Sequence, residues 1–160
     1  MLNVTLIVPG NLKEKYLRDA QAEYIKRLTS LCKFNIIEVS VERLPDTPSE
    51  AEIATALEKE GKRILAAVPK GSYVYAMCIE GKQRDSVAFS RELDRLAVNG
   101  TSHVTFIIGS SFGLSEEVKG FANTPLSLSE MTFPHQLARV MLLEQLYRAF
   151  QISSGGKYHK

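Results

Sequence analysis

The sequence is poor in the residues that mark many specialised classes of protein. Only two of its 160 residues are cysteines, and tryptophan is absent. Cys32 and Cys78 lie far apart, with no cysteine or histidine close to either, so their spacing gives neither a zinc motif nor a disulfide framework. We therefore expect no metal, and two buried thiols in a reducing cytoplasm.

The chain also lacks a long apolar run and a strong excess of one charge. The run from Leu2 to Pro9 is interrupted by Asn3 and Thr5, has no basic segment before it and is too short to cross a bilayer. The formal net charge of +2 permits RNA binding without establishing it, because clustering matters as well as the total. We expect a cytoplasmic protein with no membrane contact and one domain, residues 1–160.

Short β-branched runs alternate with longer stretches whose apolar residues recur at helical spacing. This alternation predicts an α/β fold in which helices sandwich a mainly parallel sheet. The predicted strands are Val4–Val8, Phe34–Val39, Tyr73–Ile79, Val104–Ile108 and a last one around Pro125–Leu128. The predicted helices cover Leu17–Leu31, a stretch capped by Ser49 and Glu52, a stretch from Asp85 or Ser86 to Asn99, a short turn after Ser115, and about His135–Phe150.

The last predicted helix is apolar around most of its circumference. So much apolar surface exceeds what one sheet face needs, and a second copy of the chain would cover the excess, which predicts a homodimer. The residues after it, Gln151–Lys160, combine a Ser-Ser-Gly-Gly hinge with a Lys-Tyr-His-Lys tip.

Three segments follow predicted strands, where open α/β sheets bind ligands: Met77–Gly81, Gly109–Gly113 and Leu128–Pro134. The Gly109 segment has neither the lysine of a P-loop nor the spacing of a dinucleotide fingerprint, so it reads either as a plain turn or as a ligand loop. Met131 and Phe133 in the third segment either plug the core or line a pocket for adenine.

Two side chains near the start of the last helix are candidates for chemistry. Arg139 lies on the apolar arc with no obvious acidic partner in the sequence, so it either reaches solvent or binds an anion. We expect it to contact RNA phosphate or a substrate base rather than to stabilise the fold. His135 either packs near the helix entrance or acts chemically.

Several segments together resemble the large-subunit rRNA methyltransferase H family, which belongs to the knotted SPOUT methyltransferases. The resemblance covers essentially the whole chain and is carried by Leu12–Tyr16, Glu58–Gly61, Phe106–Gly109, Ser127–His135, Arg139, Glu144–Ala149 and Tyr158-His159.

The resemblance implies methyl transfer from S-adenosylmethionine to N3 of a pseudouridine in large-subunit (23S) ribosomal RNA, preferably in assembled ribosomes. It implies a deep trefoil knot in the C-terminal third. The implied cofactor contacts are Met77, Gly109, Leu128, Ser129, Glu130, Met131, Thr132 and Phe133. The catalytic candidates are His135, Arg139, Tyr158 and His159, the last two completing the site of the opposite protomer.

The chain departs from the family at Ser110, where members commonly have a second glycine, so we expect a side chain to enter the cofactor loop. Two alternatives stay open: a knotted methyltransferase that acts on another RNA, and a non-catalytic module that binds RNA or the ribosome. The absence of phosphate groups from S-adenosylmethionine agrees with the missing glycine fingerprint, since backbone groups and apolar walls suffice to hold it.

Overall fold

A computed structural model describes residues 1–159, so Lys160 at the predicted tip lies outside the described residues. Five strands and five helices alternate along this part of the chain. In order they are β1 (Asn3–Pro9), α1 (Lys15–Leu28), β2 (Lys33–Val39), α2 (Glu50–Ala67), β3 (Tyr73–Gln83), α3 (Ser86–Val98), β4 (His103–Ile107), α4 (Glu116–Phe121), β5 (Thr124–Ser127) and α5 (His135–Ser153).

The strands form one sheet in the order β2-β1-β4-β3-β5, and every pairing is parallel. Successive side chains of a strand point to opposite faces of the sheet, and the buried ones form one hydrophobic core on each face. Val4, Leu6 and Phe106 face the layer made by α1, α3 and α5, whereas Ile7 and Ile107 face α2 and α4. The predicted parallel α/β sandwich is therefore confirmed.

Local sequence signals set most helix starts. Ser49 and Glu52 form the predicted capping box, with the Glu52 amide donating to Ser49 Oγ at 3.1 Å and the Ser49 amide donating to Glu52 Oε1 at 3.0 Å. Asp85 caps α3, and Ser115 caps α4. The ends differ by a few residues from the prediction: α1 stops at Leu28, and α5 continues to Ser153.

Strand β3 is longer than predicted because it contains an irregular segment. Leu126 of β5 pairs with Met77 and again with Lys82, so residues 78–81 lie outside the regular ladder. A Cβ at Gly81 would come within 2.7 Å of the Leu126 backbone nitrogen, so only glycine lets β5 pack this closely.

Helix α5 lies between α1 and α3 and packs on the sheet. Leu142, Leu143 and Leu146 are fully buried, and the one large apolar side chain of α5 counted as exposed is Leu137, at 37%. Most of the apolar surface that suggested a second copy is thus already covered within the chain, and the homodimer stays a prediction. Within residues 1–159, no helix has the length and apolar character needed to span a membrane.

Candidate functional site

A cavity of about 800 Å³ opens at the carboxyl edge of the sheet. Its walls come from Met77–Glu80 in the second half of β3 and from the segments that follow β4 and β5. This edge of the sheet is where ligands bind in open α/β folds. Glu130 is exposed and does not line the cavity. The other seven implied cofactor positions do line it: Met77, Gly109, Leu128, Ser129, Met131, Thr132 and Phe133.

The loop Gly109–Gly113 forms one wall, and its shape depends on two glycines. A Cβ at Gly109 would overlap the carbonyl group of Gly113, whose own φ of +89° favours glycine. The Gly113 amide donates to the Ser110 carbonyl at 2.8 Å and closes the turn. The backbone that approaches Gly109 closely is therefore that of Gly113.

Ser110 borders the cavity, but its hydroxyl is engaged behind the loop. It donates to Oε1 of Glu60 at 2.8 Å, and Glu60 is a buried residue of α2. Ser110, whose side chain we expected to enter the cofactor loop, does line the cavity, and its hydroxyl is hydrogen-bonded to a buried carboxylate.

The Ser127–His135 segment forms the facing wall and is organised by its own serines. Ser127 Oγ donates to the Ser129 carbonyl at 3.0 Å, and the Met131 amide donates to Ser129 Oγ at 3.0 Å. Met131 is 74% exposed, so it does not plug the core. Phe133 is half-buried at the cavity wall.

An ion pair that the sequence did not reveal spans the rim of the cavity. Lys119 of α4 lies 2.5 Å from Oε1 of Glu80 in the irregular segment of β3, and both residues line the cavity. The hydrogen bond to Lys119 lowers the pKa of Glu80, and the reverse interaction raises the pKa of Lys119. No sequence pattern indicates that a lysine on this short helix pairs with Glu80 at the cavity.

His135 lies in the wall of the cavity, one turn before Arg139. Burial lowers the pKa of His135 below its ordinary value, the charges of Arg139 and Lys13 lower it further, and Glu60 acts in the opposite sense. The imidazole is therefore neutral near pH 7 and able to accept a proton.

Arg139 does not line the cavity but is buried beneath it. Its guanidinium lies 2.8 Å from Oε2 of Glu38, donates to the Gly10 carbonyl at 3.1 Å and reaches Gln21 at 3.4 Å. The expectation of an arginine without an acidic partner is wrong, since Glu38 lies 101 positions away in sequence and comes close only through the fold. Arg139 ties the ends of β1 and β2 to α5.

The C-terminal tip packs on the outer face of α5 in the same chain. The Tyr158 hydroxyl donates to Glu144, and this bond raises the pKa of Tyr158. Arg148 stacks on the Tyr158 ring at 4.7 Å from its centroid and donates to Nδ1 of His159 at 3.0 Å. Neither Tyr158 nor His159 lines the cavity of its own chain.

Comparison with known proteins agrees with this architecture. The family model described as "Predicted SPOUT methyltransferase" matches residues 2–159. Two solved structures share the fold. The tRNA (m1G37) methyltransferase of Aquifex aeolicus has a TM-score of 0.54 and 13% identity, and the match covers 92% of this chain and 69% of that chain. A probable methylase family protein of Haemophilus influenzae has a TM-score of 0.51 and 16% identity, and the match covers 99% of this chain and 70% of that chain.

Curated relatives match at much higher identity. Proteins named ribosomal RNA large subunit methyltransferase H are 52% identical in Latilactobacillus sakei and 54% identical in Streptococcus thermophilus, each alignment covering 99% of this chain and 100% of the relative.

The parallel sheet, the cavity at its carboxyl edge and the family match define a methyltransferase of the SPOUT class. Within that class, the chain belongs to the family of the large-subunit ribosomal RNA methyltransferases H. The family match covers the C-terminal third, where the family resemblance implies a trefoil knot, and the knot itself stays a prediction.

Gly109→Ala should destabilise the protein by about 1–3 kcal/mol, because the added methyl group would overlap the Gly113 carbonyl and force the loop to move. Gly120→Ala in α4 is the matched control, since no atom lies within 4 Å of its added Cβ. Urea denaturation measures both, and equal stability of the two variants would contradict the predicted overlap.

Arg139→Ala should lower the free energy of unfolding by about 2–3 kcal/mol, because it removes the partner of Glu38 and leaves the Gly10 carbonyl without its donor. Arg18→Ala, which removes an exposed arginine of α1, provides the comparison. Thermal and urea unfolding measure both, and an unchanged melting temperature for Arg139→Ala would restore the view that this residue serves only RNA binding.

Proposed function

We propose that this protein transfers the methyl group of S-adenosylmethionine to N3 of a pseudouridine in 23S ribosomal RNA, preferably in assembled ribosomes in the cytoplasm. The observation that carries the proposal is the cavity at the carboxyl edge of the sheet, since seven of the eight implied cofactor positions line it. Identity above 50% over the full length of methyltransferases that act on large-subunit ribosomal RNA supports the choice of substrate.

The cavity fits a cofactor without phosphate groups. About 800 Å³ lies within the usual range for small-molecule sites, and apolar residues such as Ile108, Leu126 and Phe133 are among those that line the cavity. The loop Gly109–Gly113 and the segment Leu128–Phe133 would hold the cofactor between them. When bound, S-adenosylmethionine supplies an electrophilic methyl group on a sulfonium.

His135 is the residue best placed to take a proton from the substrate. N3 of pseudouridine must lose its proton before the nitrogen can form a bond to the methyl carbon, and a neutral imidazole in the cavity wall is a suitable general base. Burial keeps His135 neutral by lowering its pKa. In contrast, Nδ1 of His159 accepts a hydrogen bond from Arg148 of the same chain. We therefore assign the base to His135, with Arg139 as the residue that fixes the start of α5.

The tip would serve the opposite protomer of a homodimer. Tyr158 packs beside Glu144, which is nine positions beyond His135 and so about 14 Å further along the helix axis at 1.5 Å per residue. A tip held there is remote from its own cavity. An aromatic ring able to stack on a base and an imidazole beside it suit a neighbouring active site.

Incubation of the enzyme with tritiated S-adenosylmethionine and ribosomes that lack the modification should label 23S RNA at a single pseudouridine. Assembled 70S particles should be labelled faster than free 23S RNA, because the proposed substrate is the assembled ribosome. Labelling of transfer RNA under the same conditions would support the knotted methyltransferase of other specificity, and absence of any labelling would favour the non-catalytic module.

His135→Gln should reduce kcat/KM for methylation by about 100-fold or more, the low end of what a positioned base contributes. Because the neutral form is active, the wild-type rate should fall as pH drops through the lowered pKa of His135. That acid limb should disappear in the variant. His103→Asn is the control, since burial also lowers the pKa of His103 but its ring bonds Thr5 outside the cavity. An acid limb that survives in His135→Gln would assign the base elsewhere.

A chain that ends at Gly156 should keep its dimeric state in light scattering and its affinity for S-adenosylmethionine but lose at least about 100-fold in methylation. Lys157→Ala controls for the loss of one positive charge.

Mixing the truncated chain with His135→Gln chains tests the arrangement directly. If the tip acts on the opposite protomer, a mixed dimer contains one complete site and activity returns. If the tip acts within its own chain, or not at all, mixing restores nothing beyond the sum of the two variants.

A further inference from the structure

Glu60 is a charged side chain buried in the middle of the protein. It lies on α2 and is only 3% exposed, although glutamate is rarely buried without a partner. Both carboxylate oxygens are used: Oε1 accepts from the Ser110 hydroxyl at 2.8 Å, and Oε2 accepts from the Glu42 amide at 3.0 Å. The carboxylate thus joins the segment after β2 to the loop after β4.

The charge of Glu60 is not balanced by an ion pair within residues 1–159. The neighbouring cations on α2, Lys59 and Arg63, are directed to Glu42, where Arg63 lies 2.6 Å from Oε2. Burial of a carboxylate that only neutral donors satisfy costs free energy that a hydrophobic side chain would not cost. A role in connecting α2 to the loop Gly109–Gly113 would account for a carboxylate at this buried position.

We propose that Glu60 is a positioning residue of the cofactor cavity, and that its carboxylate acts through Ser110 to hold the loop Gly109–Gly113 in the conformation that binds S-adenosylmethionine. The inference rests on the proposed cofactor. Ser110 both donates its hydroxyl to Glu60 and accepts the Gly113 amide on its carbonyl, so one residue connects the buried carboxylate to the turn.

The residue after Glu60 packs α2 closely against the start of α4. This residue, Gly61, lies so close to α4 that an added Cβ would come within 2.6 Å of Ser115 Oγ. The Glu60 carboxylate that accepts from the Ser110 hydroxyl therefore lies on a helix that is closely packed at the neighbouring position. Such preorganisation lowers the cost of ordering a binding loop.

Calorimetry with S-adenosylmethionine, well below the melting temperature of each variant, tests the proposal. Glu60→Leu, which has no acceptor, and Ser110→Ala should each weaken binding by about tenfold, the effect expected when a hydrogen bond to a charged group is lost. The double variant should bind no more weakly than the poorer single variant, because both changes remove the same interaction. Ser110→Thr, which keeps the hydroxyl, should bind as the wild type does.

Ser90→Ala is the control for a purely structural effect. Its buried hydroxyl donates to the Ala149 carbonyl at 2.7 Å, so its removal should lower the melting temperature without changing cofactor affinity. If Glu60→Leu does not fold, Ser110→Ala and Ser110→Thr still test the proposal. Wild-type affinity in Ser110→Ala, or additive losses in the double variant, would overturn the role of Glu60. Failure of the wild type to bind S-adenosylmethionine would instead overturn the proposed function.

Discussion

Close approach of backbone to backbone at the carboxyl edge of the sheet is the constraint on which the site depends. At Gly81, strand β5 packs so tightly on β3 that a side chain has no room, and at Gly109 the chain turns back against Gly113. Both contacts place loops where a ligand can reach main-chain groups. Both close approaches require a residue without a Cβ.

Hydrogen bonds of two buried charged side chains, Arg139 and Glu60, connect the segments at this edge of the sheet. Arg139 joins the Gly10 carbonyl after β1 to Glu38 of β2, and Glu60 joins Glu42 after β2 to Ser110 after β4. Each of the two buries a charge and connects segments distant in sequence. Such bonds fix geometry more than they add stability, since a buried ion that loses its partner is costly while the intact pair gains little.

The fold was largely predictable from local patterns. Runs of β-branched residues located β1 to β4, and the Ser49–Glu52 capping box located the start of α2. The Glu38–Arg139 pair and the burial of Glu60 were not predictable, because those contacts join elements far apart in the chain. The length of β3 was missed for a similar reason, since its irregular segment depends on the backbone of β5.

The strand pattern located the three segments that line the cavity, whereas the individual cofactor positions followed from the family resemblance. Residue type alone left the Gly109 loop open between a turn and a ligand site, because a phosphate-free cofactor needs no diagnostic motif. The apolar excess of α5 was misjudged, since α1 and α3 cover both of its sides. Single-helix periodicity does not reveal how many neighbours a helix will have.

Hydrogen exchange measured by mass spectrometry, with and without saturating S-adenosylmethionine, tests the account most directly. The cavity predicts slower exchange at residues 77–81, 108–114 and 126–135 on binding, and unchanged exchange at residues 99–103, which lie at the opposite edge of the sheet. Protection confined to other segments, or no protection at a concentration that saturates binding, would contradict the placement of the cofactor at this edge.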